Sequence, residues 1–126
     1  MKTSIHESLS IDYTKKRIKG ACRMFMFKEG NQAIMYIPSL ELSSYGSDLE
    51  EAREMMINHV IPGFCQSIFE GPKNLVISTF NNLGWTKSPF FKKELSRNSF
   101  IDKEGILREF NLSPDTEISE QLIAVA

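Results

Sequence analysis

Asp48, Glu50 and Glu51 place three carboxylates close together. Converging carboxylates could hold divalent ions for phosphate hydrolysis, because two-metal nucleases bind their ions in this way. The same stretch, read from Ser47 to Glu50, has the Ser-x-x-Glu pattern of a helix-capping box. Acidic residues in a first helical turn also interact favourably with the positive end of the helix dipole. We therefore interpret these carboxylates as the start of a helix and not as a metal site.

Other residues that commonly carry catalysis are sparse. The two histidines, His6 and His59, have no acidic neighbour at a spacing that would orient them as bases. The two cysteines, Cys22 and Cys65, lie among apolar residues, so we expect buried or half-buried free thiols and neither a disulfide nor a zinc site. The chain contains no phosphate-binding glycine loop and no Gly-x-Ser-x-Gly motif. The sequence predicts a protein that is not an enzyme and needs no metal or cofactor.

A basic cluster precedes the first apolar segment and consists of Lys15, Lys16, Arg17 and Lys19. Such a cluster could contact phosphate groups. The whole chain, however, has 15 Lys and Arg residues against 16 Asp and Glu residues. Nucleic-acid-binding domains usually carry a basic net charge. We therefore interpret the cluster as solvated surface and keep nucleic-acid binding as the alternative function.

The elements that position these residues begin with a polar stretch, 1–19, which we expect to be an N-terminal arm that is partly disordered or an edge strand. Residues 23–28 and 33–37 are rich in large apolar side chains and flank the turn signal Gly30-Asn31, which predicts a β-hairpin. Residues 40–45 alternate weakly and predict a third antiparallel strand.

Helical patterns follow the strands. Apolar residues from Leu49 to Val60 recur on one helical face, and Pro62-Gly63 must then kink or interrupt the helix. Residues 72–83 predict a further helix, although their β-branched residues would also suit a strand. The order of elements predicts an α+β fold with an antiparallel sheet of three to four strands and with helices packed on one face.

Length and composition indicate one domain. A chain of 126 residues with 41% hydrophobic residues can bury one core, which we place in residues 20–126. No apolar run approaches the length of a membrane span, and the N-terminal residues do not have the pattern of a signal peptide. We therefore expect no membrane association and a cytoplasmic location.

One segment resembles a known family. It comprises Ile37-Pro38 at the end of a strand, Gly46-Ser47-Asp48 at a turn, and Leu49-Glu50-Glu51-Ala52 opening a helix. This order of features resembles the HicB-like antitoxin domain over about residues 20–70. The resemblance implies a reduced, degenerate RNase H-like fold without the RNase H active site. It also implies a homodimer whose partner is a small RNA-cleaving toxin, or an orphan relative without such a partner.

The resemblance leads to a hypothesis about the binding surface. If the partner is a small basic toxin, the acidic residues around the helix start are expected to meet it, because opposite fields steer association. These partner-binding residues are Asp48, Glu50, Glu51 and Glu54.

The C-terminal segment leaves two interpretations open. Residues 107–119 resemble a helix-turn-helix, which would suit a nucleic-acid-binding transcriptional regulator. Asp115, Glu117 and Glu120 would, however, face phosphates unfavourably. The other interpretation is a terminal strand, which two copies of the chain could exchange in a dimer.

Overall fold

A computed structural model of the chain describes residues 5–87, 94–99 and 103–125. Within these ranges the chain is α+β, with seven strands in one antiparallel sheet. The strands are β1 (Ile5–Asp12), β2 (Arg17–Glu29), β3 (Gln32–Ile37), β4 (Leu42–Gly46), β5 (Thr86–Lys87), β6 (Glu94–Ser99) and β7 (Ser119–Val125). The helices are α1 (Leu49–Met55), α2 (Ile61–Ile68), α3 (Lys73–Asn82) and α4 (Lys103–Glu109), with a 3₁₀ turn at Pro38–Leu40 and a π-helical turn at Met56–Val60.

The long strand β2 organises the sheet. Ala21 pairs with Ser8 of β1 and with Ala124 of β7, so these two strands lie on opposite edges of β2. Tyr36 of β3 and Glu120 of β7 both pair with Phe25, which places β3 on the same edge as β1. Strands β1 and β3 therefore lie end to end along one edge of β2, and β7 lies along the other.

The remaining strands extend the sheet outward from this centre. Strand β4 pairs with β3, β6 pairs with β1, and β5 pairs with β6, all in the antiparallel sense. The β2–β3 hairpin closes through Gly30-Asn31 as predicted, and Gly30 has a φ of +62°, which suits a glycine in a two-residue turn. The sheet is larger than the three to four strands expected from the sequence.

The larger core lies between the sheet and the helices α1 to α3. Side chains alternate between the two faces of a strand, and the even-numbered residues Cys22 and Met24 of β2 point towards these helices and are fully buried. They pack in one cluster with Met56, Phe80 and Trp85, among other residues. This core joins the central strands to three helices.

A second core lies on the opposite face of the sheet. Phe25 and Phe27 of β2 point there and pack with Tyr36 of β3 and Ile106 of α4. Phe110, which follows α4, makes edge-to-face ring contacts with Phe27 and Tyr36 at centroid distances of 5.0 Å. The expectation that all helices pack on one face is therefore corrected, because β2 is apolar on both faces at this end and needs a cover on each.

For the segment 1–19 the sequence predicts an arm that is partly disordered or an edge strand, and residues 1–4 lie outside the described ranges. Residues 5–12 do form a strand, β1, but it is an internal strand and not an edge strand. Residues 13–19 form the turn after β1 and the start of β2. Leu9 and Ile11 point into the larger core and are each 1% exposed, while Ser8 and Ser10 face the other way. The polar residues that suggested an arm are one face of an alternating strand, which is paired on both sides.

The helix that begins at α1 continues through the π-helical turn into α2. Pro62 lacks a backbone N–H and so cannot donate an intrahelical hydrogen bond. Just before it, the N–H of Ile61 donates to the carbonyl of Met56, five residues back, in the manner of a π turn. The regular helix is thus interrupted next to Pro62-Gly63, as the sequence predicts.

The C-terminal segment is a strand. Residues 119–125 form β7, which pairs along Gly20–Met26 of the same chain. Between α4 and β7 the chain makes turns and contains no second helix, which is not the order of a helix-turn-helix. None of the helices in the described ranges is long and apolar enough to cross a membrane.

Candidate partner-binding surface

The acidic residues singled out from the sequence lie at the start of α1. The N-cap is Asp48, whose backbone is extended and whose carboxylate oxygen Oδ1 accepts a hydrogen bond of 2.8 Å from the N–H of Glu51. The hydroxyl of Ser47 donates to the Glu51 carboxylate at 3.0 Å. The cap is therefore one residue later than the Ser47–Glu50 capping box expected from the sequence.

Contacts with β4 fix the position of this helix start. The hydroxyl of Ser44 is buried and donates to the carbonyl of Ala52 at 2.7 Å. A Cβ on Gly46 would lie 2.6 Å from the Ala52 nitrogen, so a side chain there would push the helix away from the strand. The hydrogen bond from Ser44 and the close approach of Gly46 thus fix the backbone that carries the acidic residues of α1.

Glu50, Glu51 and Glu54 are exposed on the outer side of α1. Neither Glu50 nor Glu54 forms an ion pair with any residue that the structure describes. Met55 and Ile57 lie beside them and are 40% and 47% exposed. We call Glu50, Glu51, Glu54, Met55 and Ile57 the acidic helix face. It combines uncompensated negative charge with apolar surface, which is a composition suited to binding a basic protein.

The structure divides the basic cluster between two surfaces. All four residues are exposed around the β1–β2 turn, in which Asp12 accepts hydrogen bonds from the N–H groups of Thr14 and Lys15 at 3.0 Å each. Lys15, Arg17 and Lys19 line one depression of about 190 Å³ together with Ser10 and Asp12.

Lys16 instead lines a different depression, beside Cys65 and Phe69. Its backbone has a φ of +53°, in the left-handed region. Three of the four predicted basic residues are therefore brought together, and an acidic residue lies among them.

A buried polar cluster, which the sequence analysis missed, lies where the ends of β1 and β3 meet. Glu7 is 2% exposed, and its oxygen Oε2 accepts hydrogen bonds from the N–H of Arg23 at 2.9 Å and from the hydroxyl of Ser39 at 2.8 Å. The other oxygen, Oε1, lies 3.5 Å from Nη1 of Arg97. The indole of Trp85 donates to the Ser39 carbonyl at 2.8 Å.

This cluster closes a gap in the sheet. Strand β1 pairs with β2 up to Ala21 and β3 begins to pair at Phe25, so the N–H of Arg23 lies between the two partners. The carboxylate of Glu7 supplies the acceptor that a continuous strand would have provided. A sequence signal for it exists, because Glu7 has the same parity as Leu9 and Ile11 and therefore points into the core.

The two thiols are not activated nucleophiles. Burial raises the pKa of Cys22 to about 12, with the nearby Glu7 carboxylate acting in the same direction and the Ser39 hydroxyl against it. Burial also raises the pKa of Cys65. Because the thiolate is the reactive form, both side chains stay protonated and unreactive near neutral pH.

Histidines and carboxylates do not assemble into a reactive group in the described ranges. His59 is exposed on the π-helical turn, and His6 lies in β1. No three His, Cys, Asp or Glu residues of these ranges lie close enough together to hold a metal ion. No family model, curated protein or solved structure matches this chain.

Proposed function

We propose that this protein is a non-catalytic, HicB-like binding protein that docks a small basic partner, of the RNA-cleaving toxin class, on the acidic helix face. The observation that supports the proposal is the exposure of Glu50, Glu51 and Glu54 beside Met55 and Ile57, on a helix start held by Ser44 and Gly46. A rigid surface of this kind loses little entropy on binding.

The negative charges would accelerate the encounter with a basic partner, and the apolar side chains would be buried in the complex. Asp48 contributes differently from the other acidic residues. Its carboxylate is engaged with the N–H of Glu51, so it supports the surface by capping the helix.

Affinity capture from the native cell, followed by binding measurements with the purified partner, tests this proposal. We expect a stoichiometric small basic protein whose affinity falls about tenfold or more for the double variant Glu50→Lys/Glu54→Lys, because each charge reversal replaces an attraction by a repulsion. Glu70→Lys is the control for a charge reversal elsewhere on the surface, since Glu70 is exposed shortly after the end of α2 and outside the acidic helix face. A partner that binds the double variant and the control equally well would contradict the proposed surface.

A homodimer is part of the proposal. In the described residues β7 pairs on one side only, with β2, and Leu122 on this strand is 63% exposed. A free strand edge is a template for pairing with another strand, so two copies could join their sheets through β7. Light scattering after gel filtration should give twice the monomer mass, and Leu122→Asp should shift it towards the monomer. A wild-type monomer at high concentration would contradict this part.

The alternative is a nucleic-acid-binding regulator, and the convergence of Lys15, Arg17 and Lys19 around one depression favours it. It predicts binding of a labelled oligonucleotide with an affinity that falls steeply as salt rises. The double variant Arg17→Gln/Lys19→Gln should then weaken binding and reduce the salt dependence. Affinity for nucleic acid at physiological salt without a captured protein would replace the proposed function by this one.

A further inference from the structure

A groove of about 560 Å³ lies between α3 and the strands β1 and β6. Its volume falls within the range of small-molecule sites in proteins. The floor is apolar and includes Ile11 and Leu95, which are buried, with Ile77 above them on α3. The rim is polar, and the residues lining it include Tyr13, Thr14, Lys73, Asn81 and Lys87.

One side of the groove is a stripe of α3. Lys73, Ile77 and Asn81 are spaced four residues apart and therefore share one helical face. With a rise of about 1.5 Å per residue, the stripe is about 12 Å long. Its middle is apolar and its two ends are polar.

Contacts at the two ends of α3 orient the groove along β1. Nζ of Lys73 lies 4.7 Å from the ring centroid of Tyr13, just beyond the end of β1. At the other end, Gly84 approaches Arg97, whose strand position pairs with Glu7 near the start of β1. Lys87 pairs with Leu95, which pairs in turn with Leu9. The backbone of Lys87 therefore lies at the level of Leu9, four residues before Tyr13, beside which the Lys73 ammonium group lies.

The charges of the groove have one sign. The described residues that line it include two lysines and no carboxylate. Neither lysine forms an ion pair with another residue in the described part of the chain. Tyr13, whose ring contacts Lys73, supplies a neutral polar group to the lining, as do Thr14 and Asn81.

We propose that this groove binds an organic anion with an apolar body about 12 Å long and a carboxylate at its end, as in a medium-chain fatty acid. The apolar chain would lie over Ile11, Ile77 and Leu95. The carboxylate would meet the ammonium group of Lys73 or Lys87 at the rim. This site is separate from the acidic helix face, and the inference does not depend on the proposed function.

Titration calorimetry with decanoate, at concentrations below micelle formation, tests the site on the intact chain. We expect saturable one-to-one binding, and clearly weaker binding of the uncharged analogue 1-decanol. Lys73→Met and Lys87→Met retain much of the apolar bulk of the side chain and remove its charge. An exposed ion pair contributes only a small part of the binding free energy. We therefore expect at least one of the two single variants to weaken decanoate binding about two- to fivefold, and the double variant to weaken it by at least the same factor.

Two further variants separate the site from general effects. Lys28→Met removes an exposed lysine at the end of β2, outside the groove, and should leave the affinity unchanged. Ile77→Trp should fill the groove and abolish binding while the circular dichroism of the protein stays that of the wild type. The inference is overturned by the absence of saturable decanoate binding, by equal affinity for 1-decanol, or by a double lysine variant that binds as the wild type does.

Discussion

At the scale of single residues, Glu7 performs a task that usually belongs to the backbone. Its carboxylate lies on the core side of β1 and accepts hydrogen bonds from the N–H of Arg23 and the hydroxyl of Ser39. Its remaining charge faces Arg97, whose Nε donates to the carbonyl of Leu83 at 2.9 Å. The side chain thus joins β1, β2, the 3₁₀ turn and β6 at one point.

Replacing Glu7 by alanine is expected to lower the free energy of unfolding by about 2–4 kcal/mol, because a half-buried arginine and two hydrogen-bond donors lose their partner. Chemical denaturation at neutral pH measures this change. Glu50→Ala, on the exposed acidic helix face, should stay within about 0.5 kcal/mol of the wild type. Similar losses in the two variants would show that the buried cluster contributes no stability.

At the scale of elements, the start of α1 shows how local competition decides a helix boundary. Ser47 and Asp48 are adjacent, and both can cap a helix. In the structure Asp48 takes the N-cap position, and Ser47 bonds to the Glu51 side chain instead. The approach of Gly46 to Ala52 sets the depth at which the helix begins, and this contact depends on the packing of α1 against β4.

Asp48→Ala is expected to lower the free energy of unfolding by about 1 kcal/mol, because the N–H of Glu51 loses its capping acceptor. Ser47→Ala should cost less, about 0.5 kcal/mol or below, since it removes only an exposed contact between side chains. Urea denaturation of the two variants in parallel gives the comparison. A larger loss of unfolding free energy for Ser47→Ala than for Asp48→Ala would contradict Asp48 as the N-cap and support the Ser47–Glu50 capping box instead.

At the scale of the whole molecule, the sheet is enclosed on two faces by different parts of the chain. Residues 49–85 cover one face, and α4 with Phe110 covers the apolar end of the other. The hydroxyl of Tyr36 donates to the Glu109 carboxylate at 2.9 Å and so fastens α4 to the sheet. Burial and this hydrogen bond raise the pKa of Tyr36 above its ordinary value of 10.0.

The raised pKa values of Cys22 and Tyr36 predict that stability falls in alkaline solution. The folded state holds both protons more tightly than the unfolded state, so the stabilisation is complete below the unfolded pKa values of 9.0 and 10.0. Above them, each group lowers the free energy of unfolding by up to about 1.4 kcal/mol per pH unit until its folded pKa is reached.

Urea denaturation at a series of pH values from about 7 to about 11 measures how the free energy of unfolding depends on pH. Tyr36→Phe should reduce the slope above pH 10.0, the ordinary pKa of its hydroxyl, and leave the slope below pH 9.0 unchanged. A slope in Tyr36→Phe identical to that of the wild type would show that the tyrosine does not contribute.

The amino-acid sequence by itself determined the local features of this protein. The hairpin at Gly30-Asn31, the helix that begins near Asp48 and its interruption beside Pro62 depend on residues that are neighbours in the chain. The exposure of the carboxylates of α1 is also a local feature, because helical periodicity alone assigns them to the face that points away from the core.

Only the tertiary structure decided how distant segments pair. The sequence left β1 open between an arm and an edge strand, and it left the segment of β7 open between a helix-turn-helix and a terminal strand. It did not show that β1 also pairs with β6 or that β7 pairs with β2, because these partners lie far away along the chain. Arg23 bonds to Glu120, which is 97 residues away, and Glu7 meets Arg97 in the core. The groove beneath α3 arises in the same way, because β1, α3 and β6 form its walls. Sequence patterns report periodicity along the chain, whereas such contacts form only when the whole sheet assembles.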